Sequence, residues 1–215
     1  MPTTEIAGFP LVRDVDIDDP DTDAAARIQE WSESIVQQEG HQESWYGIVA
    51  EKKDELVAVI TWDNIEAHIA TLRRPDYKAV AERISTIFSG PGYMHHIDFE
   101  PYEQLAKAMT ASMTEIATFY FDDEPPDGYL DRFHQFCEAA AKEDGARPLA
   151  AAAGITHEEV EYEDIKGNAA VFVAGWESIE AHMAFQGGKV FKEHMPGLMD
   201  GVEKVQMHHV SFRKV

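Results

Sequence analysis

Apolar and polar positions run along this chain in two rhythms, and the order of the rhythms repeats. Residues 5–13 read as a strand. Ile28, Trp31 and Ile35 recur at helical spacing within 23–38, which predicts a helix with one buried stripe, ended at Gly40. Ser44 to Ala50 and Leu56 to Trp62 read as two strands joined by a turn at Lys52-Lys53-Asp54. Asp63 is placed to cap a helix whose Ile65, His68 and Ile69 share a face. Pro75 opens a further helical segment carrying Tyr77, Ala81, Ile84 and Phe88, and Gly90-Pro91-Gly92 breaks it. Residues 93–99 form the last strand, so the order is βαββαβ.

The second half repeats that order. Residues 114–121 read as a strand, 128–143 as a helix, and about 150–175 as a hairpin. A helix with His182 follows, then a segment with Phe191, Met195 and Leu198, then a strand over 204–212. The words recur as well as the grammar. Thr4-Glu5-Ile6-Ala7 returns as Thr114-Glu115-Ile116-Ala117, an offset of 114 − 4 = 110 residues. Trp62-Asp63-Asn64-Ile65-Glu66-Ala67-His68 returns as Trp176-Glu177-Ser178-Ile179-Glu180-Ala181-His182, offset by 176 − 62 = 114. Met94-His95-His96 returns as Met207-His208-His209, offset by 207 − 94 = 113. The helices between match at 105, so copy two carries nine extra residues before its Trp motif. Small offset changes between matching blocks are loop insertions, which surfaces tolerate. The period is far longer than a solenoid repeat. The expected domains are repeat one over 1–100, a linker with a short helix over 101–113, and repeat two over 114–215.

Leu56 to Trp62 and Ala169 to Trp176 are apolar at nearly every residue, so both faces of each sheet are expected to be covered. Helices in a βαββαβ unit cover one face, which leaves the other for a second sheet. The fold class is therefore α+β, with two ferredoxin-like repeats forming a pseudo-dimeric α/β barrel around an inter-sheet cavity.

Charge narrows the partners. With 40 acidic and 18 basic side chains the net charge is −22. Such a field repels phosphate backbones and anionic membranes, so neither nucleic acid nor a membrane is expected. The N-terminus lacks a basic region and an apolar stretch, and Cys137 is the single cysteine, so the expected location is cytoplasmic. Asp14-x-Asp16-x-Asp18 starts like a calcium loop but has Asp19 where the turn glycine belongs and Ala25 where the bidentate Glu belongs. These carboxylates read instead as solvated charge ahead of a positive helix end. No His-Glu-x-x-His or Cys-x-x-Cys is present, and no metal site is expected.

The strand-ending Trp followed by Ile-Glu-Ala-His at 65–68 and 179–182 carries a resemblance, as do the aromatics in Pro75-Asp76-Tyr77-Lys78 and Lys189-Val190-Phe191-Lys192. The chain resembles the dimeric α/β-barrel superfamily, within it the antibiotic-biosynthesis-monooxygenase-like and stress-responsive groups, as a tandem fusion. The resemblance implies either a cofactor-independent monooxygenase or cyclase acting on a small aromatic or polyketide-like molecule, or a non-catalytic barrel that binds a small apolar molecule. It implies no cofactor in the first case. A haem-degrading member would need a helix ligand, for which His182 or His194 would serve. Homodimerisation stays open.

Histidines are the candidate bases. Side chains alternate in a strand, so one of each His-His pair faces the cavity. His95, Ile97 and Phe99 form the more apolar set and are expected beneath the helices, with His208, Val210 and Phe212. His96, His209 and Asp98 are then the expected catalytic residues, with Met94 and Met207 beside them. His68, His182 and one of Trp45 and Tyr46 complete the expected binding set, although the place of the first two on the face of Ile65 and Ile179 argues more for packing or capping than for chemistry.

Overall fold

The computed structural model describes residues 1–215 and contains two compact units, Met1–His96 with Arg213–Val215, and Ile97–Phe212. The first unit runs β1 (Thr3–Pro10), α1 (Asp23–Ile35), β2 (His41–Ile48), β3 (Glu55–Trp62), α2 (Ile65–Leu72), α3 (Pro75–Ile84) and β4 (Tyr93–Ile97, which reaches one residue past the unit). The second runs α4 (Tyr102–Ala108), β5 (Met113–Tyr120), α5 (Tyr129–Ala140), β6 (Ala150–Ile155), β7 (Val160–Tyr162), β8 (Ile165–Gly167), β9 (Ala169–Trp176), α6 (Ile179–Gln186), α7 (Lys189–Leu198) and β10 (Lys204–Val210). A last strand, β11 (Arg213–Lys214), returns to pair with β2 in the first unit.

The sheets are built alike. Strand order is β11-β2-β3-β1-β4 in one and β10-β5-β9-β6 in the other. Apart from β11, both are the ferredoxin-like order, and β1–β3, β2–β3, β5–β9, β6–β9 and β5–β10 all pair antiparallel. The expected α+β class is what forms. The nine-residue surplus of copy two lies where β7 and β8 make a small separate hairpin.

Registers place the core. Glu5 lies opposite Ile60, Ala7 opposite Ala58 and Phe9 opposite Leu56. Ile60, Ala58, Leu56 and Trp62 pack on Ile28, Trp31 and Ile35 of α1 and on Tyr77, Val80 and Ile84 of α3. In the second unit Ala117, Phe172, Ala174 and Trp176 pack on Phe133, Phe136 and Ala140 of α5. The other face of β9 is partly covered by α4: a Cβ on Gly175 would come within 2.9 Å of the Ala108 Cα, so only glycine lets the helix lie that close.

Helix starts follow local chemistry. Thr22 caps α1 through its hydroxyl, and Asn64 and Ser178 cap α2 and α6. The cap of α2 is thus Asn64 rather than Asp63, because the chain stays extended for one residue beyond the strand-ending Trp. The first helix also ends at Ile35, three residues short of the expected 38. No helix is long and apolar enough to cross a membrane.

Candidate functional site

The helix face of the first sheet carries four polar side chains in one cluster. Glu5 on β1, Trp62 at the end of β3, and His68 on α2 are all buried, and His96 on β4 is half-buried. The Trp62 indole N–H donates to Glu5 Oε2 at 3.1 Å, and the His68 ring stacks on the indole with centroids 5.1 Å apart. His68 Nδ1 and His96 Nε2 share a hydrogen bond of 2.7 Å. His68 Nε2 lies 3.2 Å from Glu5 Oε2, within ion-pair reach but off the line of a straight hydrogen bond.

Burial sets the electrostatics. Removal from water pushes the Glu5 carboxyl up to about 7, against the opposing pull of the Trp62 hydrogen bond and the neighbouring His96. Burial, and then the Glu5 charge, push the nearby Tyr77 phenol up to about 12.

Glu5 opens onto a cavity of about 210 Å³ between the sheet and the helices of this unit. Its walls are largely apolar, among them Ala58, Leu72, Phe88 and Met94, with Phe9 stacked on Phe88 at 4.4 Å. Tyr77 and Ser85 are the hydroxyl groups on its lining. Sites for drug-sized ligands occupy roughly 300–1,000 Å³, so this cavity suits a guest of one or two rings.

The second unit repeats the cluster, with different side chains where the first unit has its cavity. Trp176 donates to Glu115 Oε2 at 2.9 Å and stacks on His182. His182 Nδ1 and His209 Nε2 are 2.8 Å apart. Burial pushes Glu115 up to about 7, with Trp176 opposing. At the position of Ala58, however, stands Phe172, stacked on Phe133 at 5.2 Å and close to Phe136. At the position of Leu72 stands Gln186, whose amide lies 3.0 Å from His182 Nε2. An amide nitrogen only donates, so His182 Nε2 accepts and its Nδ1 carries the proton.

The expected side-chain directions are reversed. His96 and His209 turn toward the helices, where α2 and α6 present His68 and His182 to them. The apolarity of Ile97 and Phe99 suggested the opposite. The reason is that the helix face holds a buried polar cluster, while Ile97 and Phe99 are buried within the second unit at 0% and 2% exposure. His95 stacks on Tyr93 at 5.2 Å.

The other expected residues fall as follows. Met94 lines the cavity, whereas Met207 is 40% exposed. Asp98 pairs with His157 at 2.9 Å in the second unit. Tyr46 meets the edge of Trp31 at the rim of the α1 face, and Trp45 is buried on the opposite face with Lys214 over its ring. His194 lies beside Phe136 at 6.0 Å. No trio of His, Cys, Asp and Glu is grouped to hold a metal ion. Glu5 and Glu115 were not singled out for chemistry from the sequence. Their signal was present, because each is a charged residue inside a recurring, otherwise apolar strand word.

No family model matches the sequence, and no curated protein does. Solved structures match over the whole length. A candidate monooxygenase from Fusobacterium nucleatum aligns over 99% of this chain and 93% of its own at 13% identity, with TM-score 0.65. An anthrone oxidase-like protein aligns over 99% and 93% at 13% identity, TM-score 0.69. A candidate chlorite dismutase aligns over 99% and 94% at 12% identity, TM-score 0.61. At such identities the likeness establishes the fold, and the differing names show that this fold serves more than one chemistry.

Proposed function

We propose that the first unit is a monooxygenase-like active site that takes a small phenol or naphthol, uses Glu5 as general base, and needs no cofactor. One observation carries this reading: a buried carboxyl stands at the wall of an apolar cavity, and at the matching place in the second unit Phe172 stands where Ala58 leaves space. Had both copies kept equal pockets, symmetric structure would explain them. The whole-length likeness to proteins named as monooxygenases and anthrone oxidase-like supports the reaction class.

The step balances without an external reductant. Glu5 removes the phenolic proton, which places negative charge on the ring carbon para to the oxygen. That carbon bonds to dioxygen, and the resulting hydroperoxide loses water to leave a ring carbonyl. For α-naphthol the sum is naphthol plus dioxygen giving naphthoquinone plus water. A base poised near working pH serves both proton uptake and proton return.

The non-catalytic reading has an observation of its own. The Glu–Trp–His–His cluster persists in the second unit, where Phe172 stands at the position of Ala58, so the cluster also has a structural use. Oxygen uptake with α-naphthol separates the two. Glu5→Gln is expected to lower turnover by roughly 10²–10⁴-fold, while Glu115→Gln leaves it unchanged. Saturable α-naphthol binding without oxygen uptake in the parent protein would favour the binding reading.

A further inference from the structure

We propose that His68 and His96 form a proton relay connecting Glu5 to the protein surface, and that Leu72 keeps this relay open in the first unit alone. The proposal rests on the reading of Glu5 as the base. It explains three differences between copies that otherwise match.

The relay has three links. Glu5 Oε2 faces His68 Nε2 at 3.2 Å, and His68 Nδ1 meets His96 Nε2 at 2.7 Å. A small rotation of the His68 ring straightens the first contact. Protonated Glu5 then donates to His68 Nε2, while His68 Nδ1 passes its own proton to His96 Nε2. One proton arrives at one end as another departs from the other, so no charge stays on the fully buried His68. His96 is half-buried, and its ring delivers the proton outward. When the hydroperoxide sheds water, the same path returns the proton to Glu5, so the cycle neither gains nor loses one.

The second unit shows what a closed version looks like. Gln186 donates to His182 Nε2 and occupies the lone pair through which Glu115 would deliver a proton. His209 is buried at 3% exposure where His96 is half-buried. Phe172 fills the space where substrate would sit. Both ends and the middle are blocked. In the first unit Leu72 stands in the place of Gln186 and lines the cavity instead, leaving His68 Nε2 to Glu5. His68 and His96 are positioning residues in this scheme, acting on substrate only through Glu5.

The experiment measures oxygen uptake with α-naphthol for the parent and for Glu5→Gln, His96→Ala and Leu72→Gln, with solvent isotope effects and added imidazole. His96→Ala is expected to lose about ten- to a hundredfold in turnover, with α-naphthol affinity kept, at the lower end of what proton transfer contributes. Free imidazole should restore much of the loss, since His96 is only half-buried, and a structural defect would not respond to it. Leu72→Gln should slow turnover by blocking His68. Unchanged turnover in His96→Ala, or a loss that imidazole leaves untouched, overturns the relay while Glu5 remains the base. Unchanged turnover in Glu5→Gln overturns the base and the relay together. Should the parent take up no oxygen with this probe, the function reading falls for it, and labelled-Glu and labelled-His NMR decides the relay. Coupled titration of Glu5 and His68, lost in Leu72→Gln, supports it; independent titration overturns it.

Discussion

Glu5 and Glu115 show what one buried carboxyl does in two settings. Both are pushed up to about 7 from the ordinary 4.5 by loss of water, and Glu5 also borders a cavity. For stability the sign follows from linkage. A carboxyl raised on folding binds its proton more tightly in the native state, so its contribution is full below pH 4.5 and is lost as pH rises through about 7. The span of 7 − 4.5 corresponds to a contribution on the order of 3 kcal/mol per group. The groups facing Glu115 are Trp176, His182 and His209, and those facing Glu5 are Trp62, His68, His96 and Tyr77. Urea melts at pH 5 and pH 8 should therefore show Glu115→Gln gaining on the parent at the higher pH. An equal difference at both pH values would mean that Glu115 is not raised. The Glu recurred in plain view, but a charge inside an apolar strand word becomes chemistry only when its neighbours are known.

At the scale of elements, β3 and β9 are the same strand with opposite consequences. Each ends in a Trp that anchors the cluster, and each is buried along its whole length. Ala58 on β3 leaves space under α1, and Phe172 on β9 fills it under α5. Exchanging them should exchange the property. Ala58→Phe is expected to abolish α-naphthol binding with little loss of melting temperature, because the ring enters existing space. Phe172→Ala should cost about 3–5 kcal/mol, the usual price of an unfilled aromatic site, and should create a second apolar cavity that takes up xenon or benzene. Calorimetric binding and thermal melts check both. Retained α-naphthol affinity in Ala58→Phe would place the ligand elsewhere. Strand order, helix stripes and turn positions were legible beforehand, because periodicity and turn chemistry act over a few residues. The helix-facing direction of His96 was not, because it depends on register with β1 and on a partner 28 residues away on α2.

Across the whole molecule, charge and duplication govern. Acidic side chains outnumber basic ones by 40 to 18, and like charges repel most when the chain is compact. Screening weakens that repulsion within about 10 Å at 0.1 M salt. The melting temperature should rise between low and physiological ionic strength, and a fall would show that the ion pairs, such as Arg213 with Asp18 at 2.6 Å, outweigh the repulsion. The chain alone carries the recurring motifs, the βαββαβ order, the α+β class and the excess of acidic side chains, since repeats, propensities and composition need no tertiary contact. The tertiary structure decided that a carboxylate from β1, an indole from β3 and imidazoles from α2 and β4 converge. It also decided that a cavity lies beside them in the first unit. Both depend on which side chains from distant elements face each other across a packed layer, where a single Ala-to-Phe difference determines whether space remains.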